Sequence, residues 1–281
     1  GTVVGNVINI ILNSVFLFMF HWGVMGVAVA TVISKVVNLI IVAAMGAVLI
    51  KAKQSPERIS PQKILAQIVK IGFPSAFETA LYNVAMTLIV RFMNQMDTDG
   101  MNVTARSYAM QIANFSYCVG AALAQANAIM TGWRIGAKKY EECDRGTRKA
   151  VIYGLVTATC FSVTFAMTGR FIVHIFTDDA QMINLVVKLL IVDIFLEFGR
   201  VTNLVYGQAL KTSGDAIFPV IMGAIFMYLF AVGGTYFLGI HMGLLAVGAY
   251  IAMAGDECAR AVGMVLRWKS GKWKSKGLIE V

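Results

Sequence analysis

The sequence contains few charged residues, cysteines and histidines, and each shortage excludes a class of protein. Only 14% of its 281 residues are Asp, Glu, Lys or Arg, whereas a soluble domain carries about 25%. Hydrophobic residues make up 58% of the chain, which is the composition of an integral membrane protein. The four cysteines and three histidines form no metal-binding spacing, so we expect free thiols and no cofactor.

Motifs of enzymes and of nucleic-acid-binding proteins are also missing. The sequence has no nucleophile elbow, phosphate-binding loop or redox pair, and we therefore expect no enzyme. Its net charge of +9 does not predict a nucleic-acid partner, because the basic residues follow the loop pattern of a membrane protein.

Long apolar stretches predict membrane-spanning helices. A spanning helix needs about 20 apolar residues. Eight stretches qualify, at 2–20, 24–50, 71–93, 105–131, 149–176, 182–208, 215–239 and 243–267. We interpret the chain as an all-α integral membrane protein with eight transmembrane helices, and the lipid bilayer as its first partner.

The connecting segments alternate between basic and acidic or uncharged ones. Lys and Arg are concentrated at 51–63, at 132–149 and after 266, with a single Lys211 between the sixth and seventh stretches. The positive-inside rule places these segments in the cytoplasm. The prediction is a multi-pass protein of the cell membrane with a cytoplasmic C-terminus.

A short internal repeat indicates how the helices are grouped. His21-Trp-Gly-Val-Met-Gly resembles His241-Met-Gly-Leu-Leu-Ala at an offset of 220 residues. This spacing predicts two six-helix lobes in parallel repeat, with about four helices preceding a chain that opens on Gly1 inside an apolar run. The predicted domains are 1–50, the last two helices of the N-terminal lobe; 51–70, a cytoplasmic linker and amphipathic segment; 71–268, the six-helix C-terminal lobe; and 269–281, a basic cytoplasmic tail.

Three charges share one face of the stretch 182–208. Asp193, Glu197 and Arg200 follow one another at i, i+4 and i+7. Each would cost roughly 2.5–3.5 kcal/mol at the middle of a bilayer, so each must be paired, hydrated or used. Glu197 and Arg200 can form a structural ion pair, which leaves Asp193 as the candidate functional carboxylate.

Further candidates lie in other stretches. Glu78 follows Pro74, which we expect to mark a helix start or kink, and it is either an interfacial carboxylate or a cavity residue that binds a coupling cation. Asp256 and Arg260 are spaced as a structural ion pair. Polar residues that either line a wet cavity or join helices are Tyr82, Gln111, Asn114 and Asn203.

Several segments together resemble the multidrug and toxic compound extrusion (MATE) family. The segments are Ile-Gly-Phe-Pro-Ser-Ala-Phe-Glu at 71–78, Gly-Trp-Arg-Ile-Gly-Ala-Lys-Lys-Tyr-Glu-Glu-Cys at 132–143, Gly-Arg-Val-Thr-Asn at 199–203, Ala-Leu-Lys-Thr-Ser-Gly-Asp at 209–215, Asp-Glu-Cys-Ala-Arg at 256–260 and Arg-Trp-Lys-Ser-Gly-Lys-Trp at 267–273. Their order and spacing carry the resemblance, which covers the whole chain.

The resemblance implies a twelve-helix antiporter of two lobes that exports cationic or lipophilic compounds against inward Na⁺ or H⁺. It implies cation coupling by Glu78 and Asp193, with Glu197 as a further candidate, and Na⁺ as the only metal, at Glu78 and Asp193. Some branches of the family place the acid of this helix one turn further from the proline, where this chain has Tyr82. We expect the protein to work as a monomer.

Two alternatives remain open at this point. A lipid-linked oligosaccharide flippase of the same superfamily would need a cavity rich in Arg and Lys, and the predicted spans hold few such residues, chiefly Arg91, Arg106 and Arg200. A truncated, non-transporting membrane fragment is the second alternative, because eight helices cannot enclose the cleft of two complete lobes.

Overall fold

The computed structural model describes residues 2–49, 61–97 and 99–275. The chain divides into two compact units, Gly1–Pro61 and Gln62–Val281. The described residues form eight main helices and no strand, which confirms the all-α prediction. The division lies inside the predicted linker 51–70, but residues 50–60 and 276–281 lie outside the described part of the chain, so the lobe and tail assignments stay predictions.

The first unit is a helical hairpin. Helix α1 spans Thr2–Ser14 and continues as a π-helical turn, Val15–Met19, and α2 spans Gly23–Leu49. The turn between them has positive φ at His21 and at Gly23. Asn9 donates a hydrogen bond across the hairpin to Ser34 Oγ at 3.2 Å, so in this unit a polar stripe joins helices.

The second unit contains six helices. They are α3, Pro61–Asn94; α4, Met101–Gly136; α5, Tyr140–Val173; α6, Ala180–Thr212; α7, Ile217–His241, which is α-helical to Phe226 and largely π-helical beyond it; and α8, Leu245–Lys269. A 3₁₀ turn, Lys272–Ser275, follows α8.

Helix α6 is the centre of this unit because small residues let three other helices approach it. A Cβ added to Gly199 would lie 2.6 Å from the backbone nitrogen of Cys258, so α6 and α8 are in backbone contact. On α4 and α5, Gly120 and Gly154 leave room for the side chain of Val201, which a Cβ would approach to 3.0 and 2.7 Å. Helix α6, which carries Asp193, Glu197 and Arg200, therefore packs against α4, α5 and α8.

Several helices begin or end outside the predicted stretches, and two of these differences concern the residues discussed below. Helix α3 begins at Pro61 rather than near Pro74, because the segment expected as a separate lead-in continues into the helix, and a proline is well tolerated at a first helical position. Helix α6 extends past 208 to Thr212, so Lys211 belongs to its last turn and not to a loop.

The sequence after Lys211 explains where α6 stops. Gly214 adopts φ +90°, a conformation that favours glycine. The Asp215 and Gly214 amides donate to the carbonyls of Leu210 and Lys211 at 3.0 and 3.1 Å, which is a Schellman motif. Hydropathy alone predicts that the helix ends at its last apolar turn, whereas the observed end is set by the backbone conformation of Gly214.

Three of the described helices are long and apolar enough to cross a membrane by length and composition alone: Gly23–Val48, Tyr140–Val173 and Ile217–His241. The helical stretch Val3–Met19 is apolar but shorter. Helices α3, α4, α6 and α8 fall outside this group, and they carry the polar and charged side chains described next. Large apolar residues such as Met167, Phe171 and Phe195 are exposed on the outer faces, as bilayer-facing side chains are.

Candidate functional site

A cavity of about 420 Å³ lies within the second unit. Its volume falls in the range of small-molecule sites, roughly 300–1,000 Å³. Helices α3, α4, α6, α7 and α8 line it, with charged residues at Glu78, Arg106, Asp193, Arg200, Lys211, Asp256, Glu257 and Arg260. Four acidic and four basic side chains thus face one space among apolar neighbours.

The periodicity of the α-helix brings these residues to the cavity. On α6 the lining residues are Asp193, Leu196, Arg200, Asn203, Leu204, Gly207, Gln208 and Lys211. Their spacing of three and four residues forms one stripe along the helix. Of the three charges predicted to share a face, Asp193 and Arg200 lie on this stripe and Glu197 does not. The stripe continues from Arg200 to the last turn of the helix.

Asp193 is the carboxylate that stands apart. Its side chain is 4% exposed and lines the cavity. Among the residues that the structure describes, no side chain forms a hydrogen bond or an ion pair with it. A buried carboxylate without a direct partner is costly unless it binds a cation or a proton.

Glu197 lies behind the cavity wall rather than in it. It is 1% exposed, pairs with Arg200, and accepts a hydrogen bond from Ser116 Oγ at 3.4 Å. The sequence-predicted pair with Arg200 is thus present in the structure. A carboxylate held in this way positions Arg200, and it has no free face toward the cavity.

The charges of α8 are joined to those of α6. Arg260 donates to both Asp256 oxygens, at 3.0 and 2.6 Å, and its Nη2 lies 2.9 Å from Glu257 Oε1. Glu257 also accepts from Asn203 Nδ2 at 2.9 Å and lies 3.9 Å from Arg200 Nε. The predicted pair of Asp256 with Arg260 is therefore part of a network that crosses the α6–α8 contact.

Glu78 has a partner that the sequence did not indicate. Lys211 Nζ lies 2.6 Å from Glu78 Oε2, although 133 residues separate the two in the chain. Both side chains are partly buried and face the cavity. Glu78 and Asp193 thus line one cavity, but only Asp193 does so without an ion pair in the described residues.

Three of the four polar residues predicted to line a cavity do so. Tyr82, Asn114 and Asn203 line the cavity. Gln111 is exposed and is not a lining residue, because it lies off the α4 face that carries Arg106, Met110, Ala113 and Tyr117.

The cavity residues that were not assigned to the site from the sequence include Arg106, Lys211, Tyr250 and Glu257. For Lys211 a signal existed, since it continues the helical stripe of Asp193 and Arg200. For the others, no local pattern distinguishes a cavity residue from one that faces a neighbouring helix.

Comparison with known proteins places this geometry in a family. Residues 74–237 match the MatE family. The chain is 31% identical to the uncharacterized transporter YisQ of Bacillus subtilis, over 97% of this chain and 61% of that protein. It is 24% identical to the probable multidrug resistance protein NorM of Thermotoga maritima, over 98% of this chain and 60% of that protein.

Solved structures show the same fold. A multidrug resistance MATE transporter in an outward-facing conformation superposes with a TM-score of 0.83 at 21% identity, over 97% of this chain and 62% of that one. The eukaryotic MATE transporter AtDTX14 gives a TM-score of 0.87 at 16% identity, over 98% and 62%. The chain spans about three-fifths of the length of these relatives. It is a multi-pass membrane protein that belongs to the MatE family, the family of multidrug and toxic compound extrusion proteins.

Proposed function

We propose that this chain is part of a cation-coupled antiporter that exports cationic or lipophilic organic compounds in exchange for H⁺ or Na⁺. Family membership supports a transporter rather than an enzyme, and several relatives are named probable multidrug resistance proteins. The cavity supports the exchange itself, because it combines apolar walls with one carboxylate, Asp193, that forms no ion pair within the described residues.

Asp193 carries this proposal. A cation that binds at Asp193 breaks no ion pair of the described residues, whereas a cation at Glu78, Asp256 or Glu257 competes with a lysine or an arginine. Competition between an organic cation and the coupling ion for Asp193 would link the two fluxes, since each ligand can shift the protein only through its own binding energy. Glu78 joins the exchange when Lys211 releases it.

The transport cycle follows from the same assignment. In this proposal the two lobes rock about the segment 51–63 and expose the site to one side of the membrane at a time. The basic segments and the C-terminus face the cytoplasm of the cell membrane. The protein acts as a monomer on small molecules in the bilayer, and Glu197 affects coupling by holding Arg200.

The test replaces Asp193 by Asn in the full open reading frame that encodes this chain. We expect Asp193→Asn to abolish efflux of ethidium from cells while expression in the membrane is retained, because the amide cannot exchange a charge. The matched control is Glu142→Gln, which removes an exposed carboxylate that pairs with Lys139 and lies outside the cavity lining. Efflux by Asp193→Asn at the level of Glu142→Gln would refute the assignment.

The number of basic side chains in the cavity bears on the flippase alternative, because it is larger than the sequence indicated. Four basic side chains line the cavity, and Lys211 and Arg260 were not among the residues first counted. Three of the four are held by carboxylates, which leaves little positive charge for a diphosphate. Binding of a lipid diphosphate, with no binding of organic cations, would favour the flippase over the antiporter.

A further inference from the structure

Arg106 of α4 is a buried cation in the cavity without an anionic partner. Its side chain is 8% exposed and lines the cavity. Its Nε has no hydrogen-bond partner, and its Nη2 donates to the Met86 sulfur at 3.6 Å. A thioether is a weak acceptor, so most of the hydrogen-bonding capacity of this guanidinium is unused in the described part of the chain.

The other basic residues of the cavity differ from Arg106 in this respect. Each of them is held by a carboxylate, in the pairs Arg200 with Glu197, Lys211 with Glu78 and Arg260 with Asp256. A buried guanidinium without a counter-charge is costly. An anion from solution would compensate the charge of Arg106 without breaking any of these three pairs.

The surroundings of Arg106 favour a small anion over a flat organic one. The Met86 sulfur lies against Nη2, the nitrogen shared by the two paired arrangements in which a guanidinium holds a carboxylate. A spherical anion needs no such matched pair of donors. Met86, Met110 and Met253 line the same cavity, and their polarisable thioethers provide favourable contacts for a weakly hydrated ion.

We propose that Arg106 binds a small monovalent inorganic anion of the halide class, with chloride as its abundant member. The guanidinium supplies a full positive charge and free N–H donors. Because a guanidinium is weakly hydrated, and so is a large halide, the free-energy cost of bringing the two together in the cavity is lower than for strongly hydrated ions. The proposal goes beyond the proposed function, since neither the coupling cation nor an organic substrate takes part in it.

Chloride-35 NMR tests the site with inorganic salts alone. The purified product of the full open reading frame, in detergent, is titrated with sodium chloride against sodium gluconate at constant ionic strength. We expect line broadening of the chloride signal that saturates as the site fills. Arg106→Gln should weaken this saturable binding about tenfold or more, because it removes a charged hydrogen-bond donor, and Arg106→Lys should weaken it less.

The matched control is Arg145→Gln, the same substitution at an exposed arginine outside the cavity lining. It removes one positive charge from the surface and should leave the saturable binding of chloride unchanged. A titration curve of Arg106→Gln that coincides with the curve of Arg145→Gln would overturn the proposal.

Competition on the unmodified protein distinguishes a halide site from a carboxylate site. We expect bromide to displace the saturable chloride at concentrations similar to those of chloride itself, and benzoate to displace it only at much higher ones. Displacement by benzoate at lower concentrations than by bromide would contradict the halide assignment.

A diffraction measurement also needs no variant, in case Arg106→Gln does not fold. Crystals of the unmodified protein are soaked in sodium bromide and measured at the bromine absorption edge. We expect an anomalous difference peak against the Arg106 guanidinium. Bromide peaks elsewhere in the molecule with none at Arg106 would refute the site.

The halide site and the antiporter assignment fail in different ways. Asp193→Asn should bind chloride at least as tightly as the unmodified protein, because it lacks a negative charge that lines the same cavity. If Asp193→Asn retains efflux, the antiporter assignment fails and the chloride titrations still decide the role of Arg106. If Asp193→Asn loses efflux and Arg106→Gln retains saturable chloride binding, only the halide site fails.

Discussion

At the scale of single residues, ion pairs distinguish carboxylates that sequence patterns treat alike. Glu78, Asp193 and Glu197 are all acidic residues in apolar helices, yet their surroundings differ. Glu197 is held by Arg200 and Ser116, Glu78 by Lys211, and Asp193 by no described side chain. The local sequence indicated only the first pair, because Glu197 and Arg200 are one helical turn apart.

The Lys211–Glu78 pair leads to a prediction about cation binding. Lys211 is paired with Glu78 at the cavity, so an organic cation that binds Glu78 must displace an ammonium already in place. Lys211→Met should therefore tighten the binding of tetraphenylphosphonium severalfold, since a freed carboxylate near a half-buried site attracts a cation. Isothermal titration calorimetry measures this affinity.

Two control variants isolate the pair. Lys211→Arg keeps the positive charge and should leave the affinity close to that of the unmodified protein. The double variant Glu78→Gln/Lys211→Met lacks the freed carboxylate and should lose the gain. An affinity for tetraphenylphosphonium that does not rise in Lys211→Met would mean that Lys211 does not compete for the site.

At the scale of helices, the α6–α8 contact supports the charge network. Gly199 has no space for a side chain, because a Cβ would lie 2.6 Å from Cys258 N and 2.7 Å from Glu257 C. Those atoms are backbone and cannot rotate away. The same contact brings Glu257 to Asn203 and Arg200, so separation of the helices would break the network as well.

We accordingly expect Gly199→Ala to destabilise the protein by about 1–3 kcal/mol, the usual cost of overpacking. The matched control is Gly255→Ala on α8, where nothing lies within 4 Å of the added Cβ. Thermal unfolding in detergent, followed by the loss of the monodisperse peak in size-exclusion chromatography, compares the two. Equal midpoints for the two variants would argue against a backbone contact at Gly199.

Helices were more predictable from the sequence than the site was. Apolar stretches predicted eight helices, and the errors lie at the helix ends. For example, α3 already begins at Pro61, before the predicted start, and α6 continues past its predicted end until the turn at Gly214. Asp193 and the Glu197–Arg200 pair could be found because they depend on one helix. Lys211 with Glu78, and Glu257 with Asn203, could not, because each contact joins residues far apart in sequence, and helical periodicity carries no information about which faces meet.

At the scale of the whole chain, polarity is arranged in the reverse of a soluble protein. The cavity in the unit Gln62–Val281 collects charged side chains from α3, α4, α6 and α8, whereas large apolar residues are exposed outside. Three described helices are apolar enough to be recognised as spans by themselves. Helices α3, α4, α6 and α8 are less apolar because they carry the polar and charged side chains that line the cavity.

The end of the second unit contains a tryptophan cluster that joins segments distant in the chain. Trp273 is 2% exposed and stacks on Trp268, with ring centroids 4.2 Å apart. Its indole N–H donates to the Trp268 carbonyl at 3.0 Å, and the Trp268 indole donates to Asp144 of α5 at 2.8 Å. The 3₁₀ turn after α8 is thereby fixed to the beginning of α5.

We expect Trp273→Ala to cost about 3–5 kcal/mol, as removal of a buried tryptophan does, and to lower the thermal midpoint in detergent markedly. Because the cluster lies outside the cavity lining, the affinity of the folded protein for rhodamine B ethyl ester should not change. Trp133→Ala is the control, since Trp133 is 71% exposed and its removal leaves no internal void. A midpoint for Trp273→Ala as high as that for Trp133→Ala would mean that the turn after α8 does not contribute to the stability of the unit.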